Sequence, residues 1–147
     1  MALAFDPGLQ IIQPEWDVAP CVKSATTCRS GGVSVAGYQG LNLAAHVGDD
    51  PRSVSRNRRQ LAAALDLPEE PRWLEQVHSP VIVCADETGM DAAAVKADGS
   101  WTDQPGTVCA VLTADCLPVL LCDAAGTRVA AVHAGWRGLA AGILANS

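Results

Sequence analysis

The stretch TVCAVLTADCLPVLLCDAAGTRVAAVHAGWRGLAAGILANS, residues 107–147, decides the fold. Its apolar runs at 107–113, 119–122 and 128–133 are short and bounded by turn residues, a pattern typical of buried strands. The strand ends hold Cys116 and His133. The chain then continues through Ala-Gly-Trp-Arg-Gly into an Ala/Leu/Ile-rich segment that predicts the first turns of a helix. The stretch therefore predicts strands that lead through a glycine-rich elbow into a helix.

Length and charge restrict the class of protein. A chain of 147 residues, 49% of them hydrophobic, is long enough for one domain with a core and too short for two ordinary ones. The net charge of -6 argues against nucleic acid or a membrane surface as a partner, because both need a positive footprint. The N-terminus lacks the pattern of a secretory signal, and no apolar window reaches the length of a membrane span, so we predict a cytoplasmic protein.

The sequence has six cysteines, and for Cys84, Cys109 and Cys122 we predict buried free thiols. The sequence has no CxxC pair and no secretory signal, and Cys84, Cys109 and Cys122 lie inside apolar runs. Cys116 differs from them, because it follows Asp115 at a strand end. Cys116 is therefore the thiol to which we assign chemistry.

The residues before the central stretch divide into a lead-in and the first part of one domain. Residues 1–20 carry little periodicity and are punctuated by prolines, which predicts a loosely attached lead-in or one short strand. The domain is expected to occupy residues 21–147. Within it, Asp49 or Asp50 caps a helix that Pro51 opens, and apolar residues continue that helix at helical spacing.

The order of the remaining elements predicts the fold class. Residues 73–84 are expected to form an extended entry, a bend at Ser79-Pro80 and a buried strand. Short strands with two helices between or after them predict an α/β fold. The arginines predicted to lie on the solvated face of the first helix are Arg52, Arg56 and Arg59.

Three reactive side chains stand out by their scarcity. The chain has only three histidines, and His78 and His133 both lie at predicted strand ends, as Cys116 does. Their spacing is not that of a zinc finger, so they can meet only through the fold. If they meet, two imidazoles and a thiolate suit zinc and leave a fourth position for water or substrate, the arrangement of a catalytic site.

Two other interpretations of these residues stay open. In one, His78 is a surface loop residue, His133 a satisfied strand-end histidine and Cys116 a buried thiol. In the other, Cys116 is a nucleophile and His133 its base, with Asp115 or another acid as the orienting group. Both chemical interpretations require a deprotonated sulfur.

Four segments carry a resemblance to a known family. They are GLNLAAHVGDDPRSVSRNRRQL, WLEQVHSP, PGTVCAVLTADCLPVLLCD and VAAVHAGWRGLAAGIL. With QVH, TADC and HAGWRG in this order, the chain resembles the YfiH-type family, also called the multicopper polyphenol oxidase or laccase-domain family. The resemblance covers the chain from about Cys21 onward.

The resemblance implies a fold, a metal and an activity. The family fold is an α/β sandwich of mixed β-sheet with flanking helices, and the family's three zinc ligands fall on His78, Cys116 and His133. The implied reaction is zinc-dependent phosphorolysis of adenosine, inosine and 5′-methylthioadenosine to the free base and pentose 1-phosphate, together with deamination of adenosine to inosine. The expected partners are therefore a purine nucleoside and phosphate.

The resemblance also singles out further polar residues, since Asn42, His46, Arg58 and Arg137 match recurrent polar positions of the family motifs. Arg137 lies between two glycines at a predicted helix start, so we expect it to hold phosphate or orient the nucleoside. The candidate carboxylates for moving protons in deamination are Glu75 and Asp115. The predicted catalytic set is Cys116, His133, Arg137, Asn42 and Arg58.

The length of the chain and the family's older name raise competing expectations. Family domains continue well past HAGWRG, so we expect this chain to lack the C-terminal part of the domain, to expose apolar surface and to be impaired in activity. A copper-dependent phenol oxidase is a weaker candidate, because a multicopper cluster needs many more than three histidines. A Cys-His hydrolase using Cys116 on an ester or amide, or a metal-binding fragment without turnover, is the remaining alternative.

Overall fold

The structure, a computed structural model, describes residues 8–89 and 94–147. The chain forms two compact units. The first combines Met1–Glu15 with Ser24–Leu67, and the second combines Trp16–Lys23 with Pro68–Ser147. In the described part of the chain, no helix has both the length and the apolar character required to cross a membrane.

The first unit contains one long helix and a small sheet. Strand β1, Ile11–Ile12, pairs antiparallel with β2, Thr26–Thr27. Helix α1 spans Pro51–Leu65 and begins as predicted, because the Asp50 carboxylate accepts hydrogen bonds from the backbone N–H groups of Arg52 and Ser53. The apolar residues buried in this unit are Leu9, Leu41, Leu43, Val54 and Leu61.

A buried amide holds the loops of the first unit against α1. Asn57 is fully buried. Its Oδ1 accepts a hydrogen bond from the Val33 N–H at 2.8 Å, and its Nδ2 donates to Ser34 Oγ at 2.9 Å and to the Asn42 carbonyl at 2.8 Å. The Asp49 carboxylate continues this network, because it accepts from Ser34 Oγ and Asn42 Nδ2. These polar contacts fix a loop region that has little regular secondary structure of its own.

The second unit is built on a mixed four-stranded sheet with the order β3-β4-β6-β5. Strand β3, Ile82–Cys84, runs parallel to β4, Gly99–Thr102. Strand β6, Val129–Ala134, runs antiparallel to both β4 and β5, Leu117–Cys122. The buried apolar residues of the unit include Val132 of β6 and Ile143 near the C-terminus. The predicted α/β fold with a mixed sheet is confirmed.

The predicted strand at residues 107–113 is wrong. Only Cys109 forms a bridge, to Arg72. The segment is instead held by the side chain of Gln76, whose Nε2 donates to the Leu112 carbonyl and whose Oε1 accepts from the Leu112 N–H, both at 2.7 Å. A side-chain amide therefore takes the place of a neighbouring strand, and an apolar run gives no sign of such a partner.

The helix predicted from the Ala/Leu/Ile-rich segment at residues 139–144 begins earlier in the structure and ends before that segment does. Helix α2 spans Trp136–Ala140, and a 3₁₀ turn follows at Ile143–Ala145. Gly142 separates them with a φ of 86°, a left-handed conformation that ends an α-helix. Arg137 consequently lies inside the first turn of α2.

Candidate metal centre

The register of the sheet brings Asp98, Cys116 and His133 to one end of it. Strand β6 pairs Val132 with Gly99 of β4, so the residue after Val132, which is His133, lies opposite the residue before Gly99, which is Asp98. The His133 N–H donates to the Asp98 carbonyl at 2.7 Å. On the other side, Leu117 pairs with Ala134, which places Cys116 beside the chain that leaves β6.

The third ligand candidate arrives from the turn before β3. The Asp98 N–H donates to the Val81 carbonyl at 2.9 Å, so the entry to β3 is tied to the same end of the sheet. His78 lies in the turn that precedes this entry. Strand pairing thus explains how residues far apart in the sequence come together.

His78, Cys116 and His133 form a compact group in the described part of the chain. Their potential ligand atoms all lie within 4.8 Å of one another. The Cys116 sulfur lies 4.0 Å from His78 Nε2, and the two imidazole rings meet edge to face with centroids 4.8 Å apart. His78 is exposed, Cys116 half-buried and His133 buried, so the group is open on one side. Such a group is compatible with a bound metal ion that keeps a coordination position free.

The space around the sulfur also fits a metal centre. A Cβ atom added to Gly135 would lie 2.9 Å from the Cys116 sulfur and 3.1 Å from Cδ2 of His78. Because Gly135 has no side chain, a space is left between it, Cys116 and His78, which we call the cradle. Any residue larger than glycine at position 135 would fill this space. Two imidazoles and one sulfur are also the donor types that transition metals prefer.

Asp98 organises this site, although it belongs to none of the motifs that stand out in the sequence. It is fully buried, and its Oδ1 accepts from His133 Nδ1 at 2.9 Å and from the His78 N–H at 2.8 Å. Its Oδ2 accepts from the N–H and Oγ of Ser79, at 2.6 and 2.8 Å, and from the Val77 N–H at 3.2 Å. A buried carboxylate with this many donors is a structural hub.

The charge state of Asp98 follows from these contacts. Burial by itself raises the pKa of Asp98, but the hydrogen bonds from His133 and Ser79 outweigh it and hold the pKa below its ordinary value. The carboxylate is therefore ionised and can only accept at Oδ1. His133 Nδ1 then carries the proton, and Nε2 is the ring nitrogen left free to accept a hydrogen bond or to bind a cation.

His78 has a strained backbone. Its φ of 61° lies in the left-handed region, which a residue other than glycine rarely adopts and which costs on the order of 1–3 kcal/mol. The hydrogen bonds from the backbone of residues 77–79 to Asp98 stabilise this turn. Such strain is common at binding sites, and here it fixes the position of an imidazole.

The environment of Cys116 favours the neutral thiol when no cation is present. Burial, followed by the nearby negative charge of Asp115, raises the pKa of the Cys116 thiol. The Asp115 carboxylate lies 3.8 Å from the sulfur. A bound cation is the ordinary means of keeping such a sulfur deprotonated.

The other predicted site residues occupy different surroundings. Asn42 and Arg58 belong to the first unit, where Asn42 Nδ2 donates to Asp49 and Arg58 Nε donates to the Leu43 carbonyl at 2.9 Å. His46 is an exposed residue of the same unit. Arg137 belongs to the second unit, as the ligand group does, and it follows the cradle residue Gly135 closely in the chain.

Arg137 and the two candidate carboxylates differ in their contacts. The exposed Arg137 guanidinium stacks on Trp136, with its Cζ 5.3 Å from the ring centroid. Helix α2 has only five residues, so the helix dipole gives little support to the predicted anion site. The Glu75 carboxylate lies 3.9 Å from Lys96 Nζ, whereas Asp115 adjoins Cys116.

Comparison with known proteins identifies the family. The family described as "Multi-copper polyphenol oxidoreductase laccase" has a sequence model that matches residues 23–147, and the chain therefore belongs to this family. Among similar proteins, purine nucleoside phosphorylase YfiH of Shigella flexneri is 53% identical over 135 residues, which are 92% of this chain and 55% of the relative. Purine nucleoside phosphorylase PA4543 of Pseudomonas aeruginosa is 52% identical over 133 residues, 90% of this chain and 52% of the relative.

Solved structures give the same result. The crystal structure of Neisseria meningitidis protein NMB0706 matches with a TM-score of 0.85 and 49% identity over 92% of this chain and 55% of that one. YlmD from Geobacillus stearothermophilus matches with a TM-score of 0.75 and 35% identity, over 87% of this chain and 52% of that one. The predicted family resemblance is confirmed, and the chain spans about half the length of the curated relatives it matches.

Proposed function

We propose that the chain carries the metal centre of a zinc-dependent purine nucleoside phosphorylase that also deaminates adenosine. The observation that carries the proposal is the convergence of His78, Cys116 and His133, whose potential ligand atoms lie within 4.8 Å of one another. The names of the relatives, which are purine nucleoside phosphorylases, support the reaction class. The proposed substrates are adenosine, inosine and 5′-methylthioadenosine, with phosphate.

Zinc is the proposed metal because the donor set and the open side fit it. Two imidazoles and one thiolate with a free position match catalytic zinc sites. A multicopper cluster needs many more histidines than the three in this chain. Zinc in this position supplies Lewis-acid stabilisation of negative charge.

The chain's own residues have roles in both reactions. In phosphorolysis a phosphate oxygen bonds to C1′ of the sugar while the bond from C1′ to the purine nitrogen breaks, and the departing purine takes the electron pair and a proton. Arg137 is proposed to pair with the phosphate, since its guanidinium is exposed and the residue follows Gly135 by two positions in the chain. Asp115, beside Cys116, is proposed to carry the proton that deamination moves. Asn42 and Arg58 are retained as proposed substrate-binding residues.

Metal analysis combined with assays tests the proposal. The purified chain is expected to hold about one zinc ion, and His78→Ala to lose it. His46→Ala is the matched control and should retain zinc. Stoichiometric copper without zinc would contradict the metal assignment, as would zinc retained in His78→Ala.

The reaction itself is tested by following products from adenosine. With phosphate, the proposal expects adenine, hypoxanthine and pentose 1-phosphate together with inosine, and without phosphate only inosine. Chelation should abolish both, and zinc should restore both. The chain spans about half the length of its relatives. The same assays on a relative of full length, such as YfiH of Shigella flexneri, therefore provide the reference. Product formation that survives chelation would contradict a metal-dependent reaction.

We further propose a cytoplasmic location. All six cysteines are free in the structure. Free thiols in this number suit a reducing compartment. Fractionation of cells that express the protein is the direct measurement.

A further inference from the structure

We propose that Asp98 is a positioning residue that presets two of the three metal ligands, His133 through its ring and His78 through its backbone. The inference deepens the proposed metal centre and rests on it. In this proposal, the Asp98 carboxylate, located before β4, holds in place two ligands that come from other segments of the chain.

The first part concerns the ring of His133. The His133 imidazole is joined to Asp98 at Nδ1 over 2.9 Å, and the His133 N–H is joined to the Asp98 carbonyl over 2.7 Å. Side chain and backbone are therefore both fixed relative to the same residue. This double attachment allows one orientation of the ring and directs Nε2 to the ligand group.

The second part concerns the turn that carries His78. The N–H groups of Val77, His78 and Ser79 all donate to the Asp98 carboxylate, over 3.2, 2.8 and 2.6 Å. Converging N–H groups of this kind form an anion-binding nest. Asp98 is the anion in it, and His78 keeps its left-handed φ of 61° as a member of the nest.

A carboxylate is required in this position, and an amide is not equivalent. Both oxygens accept hydrogen bonds: Oδ1 from His78 and His133, and Oδ2 from the Val77 and Ser79 groups. In Asp98→Asn one oxygen becomes an NH₂ group that faces donors: at Oδ1 it would lose the bonds from His78 and His133, and at Oδ2 those from Val77 and Ser79. Because asparagine and aspartate have nearly the same size, the variant tests the hydrogen bonds to the ligand residues without changing the side-chain volume.

The first experiment uses the metal-free chain. Long-range ¹H–¹⁵N correlation spectra report which nitrogen of each histidine carries the proton. The proposal expects His133 to be protonated at Nδ1 in the metal-free protein, whereas exposed His46 serves as the reference for a ring without a fixed partner. A His133 ring protonated at Nε2, or a mixture of the two forms, would overturn the proposal.

The second experiment measures metal affinity by competition with a chromophoric chelator. Asp98→Asn is expected to bind zinc about 10–100-fold more weakly and to give altered Co²⁺ ligand-field bands. Asp86→Asn is the matched control, because Asp86 is a second carboxylate of the same unit and is hydrogen bonded by Thr102 and Cys84. This control is expected to lose stability while keeping the zinc affinity and the Co²⁺ spectrum.

The outcomes separate this inference from the proposed function. Zinc bound with unchanged affinity and spectrum by folded Asp98→Asn overturns the role of Asp98 and leaves the metal centre standing. A wild-type chain that binds no zinc overturns the proposed function, while the metal-free spectra still decide whether Asp98 fixes His133. If Asp98→Asn does not fold, the ring state of His133 in the unmodified chain decides the proposal by itself.

Discussion

Gly135 leaves the space that the sulfur of Cys116 occupies: a Cβ atom at this position would lie 2.9 Å from Sγ. The backbone of Gly135, with φ −77° and ψ 162°, is in an extended conformation that any residue adopts. Glycine is therefore required here for its lack of a side chain and not for its backbone freedom. This distinction leads to a test of the cradle.

Gly135→Ala is expected to weaken zinc binding by about tenfold or more, because the methyl group displaces Cys116 or His78 from the position a shared metal needs. Competition with a chelator measures the affinity. Gly37→Ala is the control, since a Cβ there would meet nothing within 4 Å. Equal zinc affinity in the two variants would show that the cradle plays no part in metal binding.

Cys116→Ser separates a ligand from a nucleophile. A hydroxyl is a far poorer zinc ligand than a thiolate, so zinc content and any activity are expected to fall together. Elemental analysis and the adenosine assay on the same preparation measure both quantities. Full zinc content with abolished turnover would favour the covalent mechanism, in which Cys116 attacks the substrate.

Arg137→Ala is expected to weaken phosphate binding to the zinc-loaded chain, by on the order of tenfold, while zinc stays bound. The physical reason is the loss of a bidentate cationic donor. Titration calorimetry with inorganic phosphate measures the effect. Arg56→Ala, an exposed arginine of α1, is the matched control. Phosphate affinity that is equal in the two variants would place Arg137 outside the substrate site.

Gln76→Ala is expected to lower the free energy of unfolding by about 1–3 kcal/mol, because both backbone groups of Leu112 lose their hydrogen bonds. Urea denaturation measures the change. Gln39→Ala, at an exposed position, should be close to wild type. A loss no larger than that of the control would show that Gln76 does not replace a strand partner.

Asp49 predicts a pH dependence of stability. The hydrogen bonds from Ser34 and Asn42 lower the pKa of Asp49 below its ordinary 3.8. Stability from this group is therefore fully present above the ordinary pKa and is lost as the pH falls through the lower, folded-state value. Denaturation midpoints of wild type and Asp49→Asn should converge at acid pH and diverge toward neutrality. A constant difference at every pH would contradict the assignment.

Local signals made part of this structure predictable. The helix at Pro51–Leu65 was read from a capping aspartate and a proline at its first turn, because those interactions are made within a few residues. His78, Cys116 and His133 were singled out by their scarcity and by a family resemblance. Their potential ligand atoms lie within 4.8 Å of one another in the structure, and their role as metal ligands stays a prediction.

The remainder depended on contacts that a sequence does not display. Asp98 belongs to none of the motifs that stand out in the sequence, and its position at the site follows from the register that places it opposite His133. The apolar run at residues 107–113 predicts a strand, because an apolar run does not indicate which group will form hydrogen bonds with its backbone. The side chain of Gln76, which is far away in the sequence, makes hydrogen bonds to the backbone of that segment, and the periodicity of the segment does not indicate this partner.

The two histidines of the proposed metal centre are expected to differ in how readily each releases a metal. His133 is 4% exposed and lies within β6, the strand between β4 and β5, so moving it requires the sheet to open. His78 is exposed on a turn, and turns open through local fluctuations that cost far less than global unfolding. Metal exchange is therefore expected to start at His78 and to proceed at a rate that mild denaturant hardly changes, even as the folded population declines.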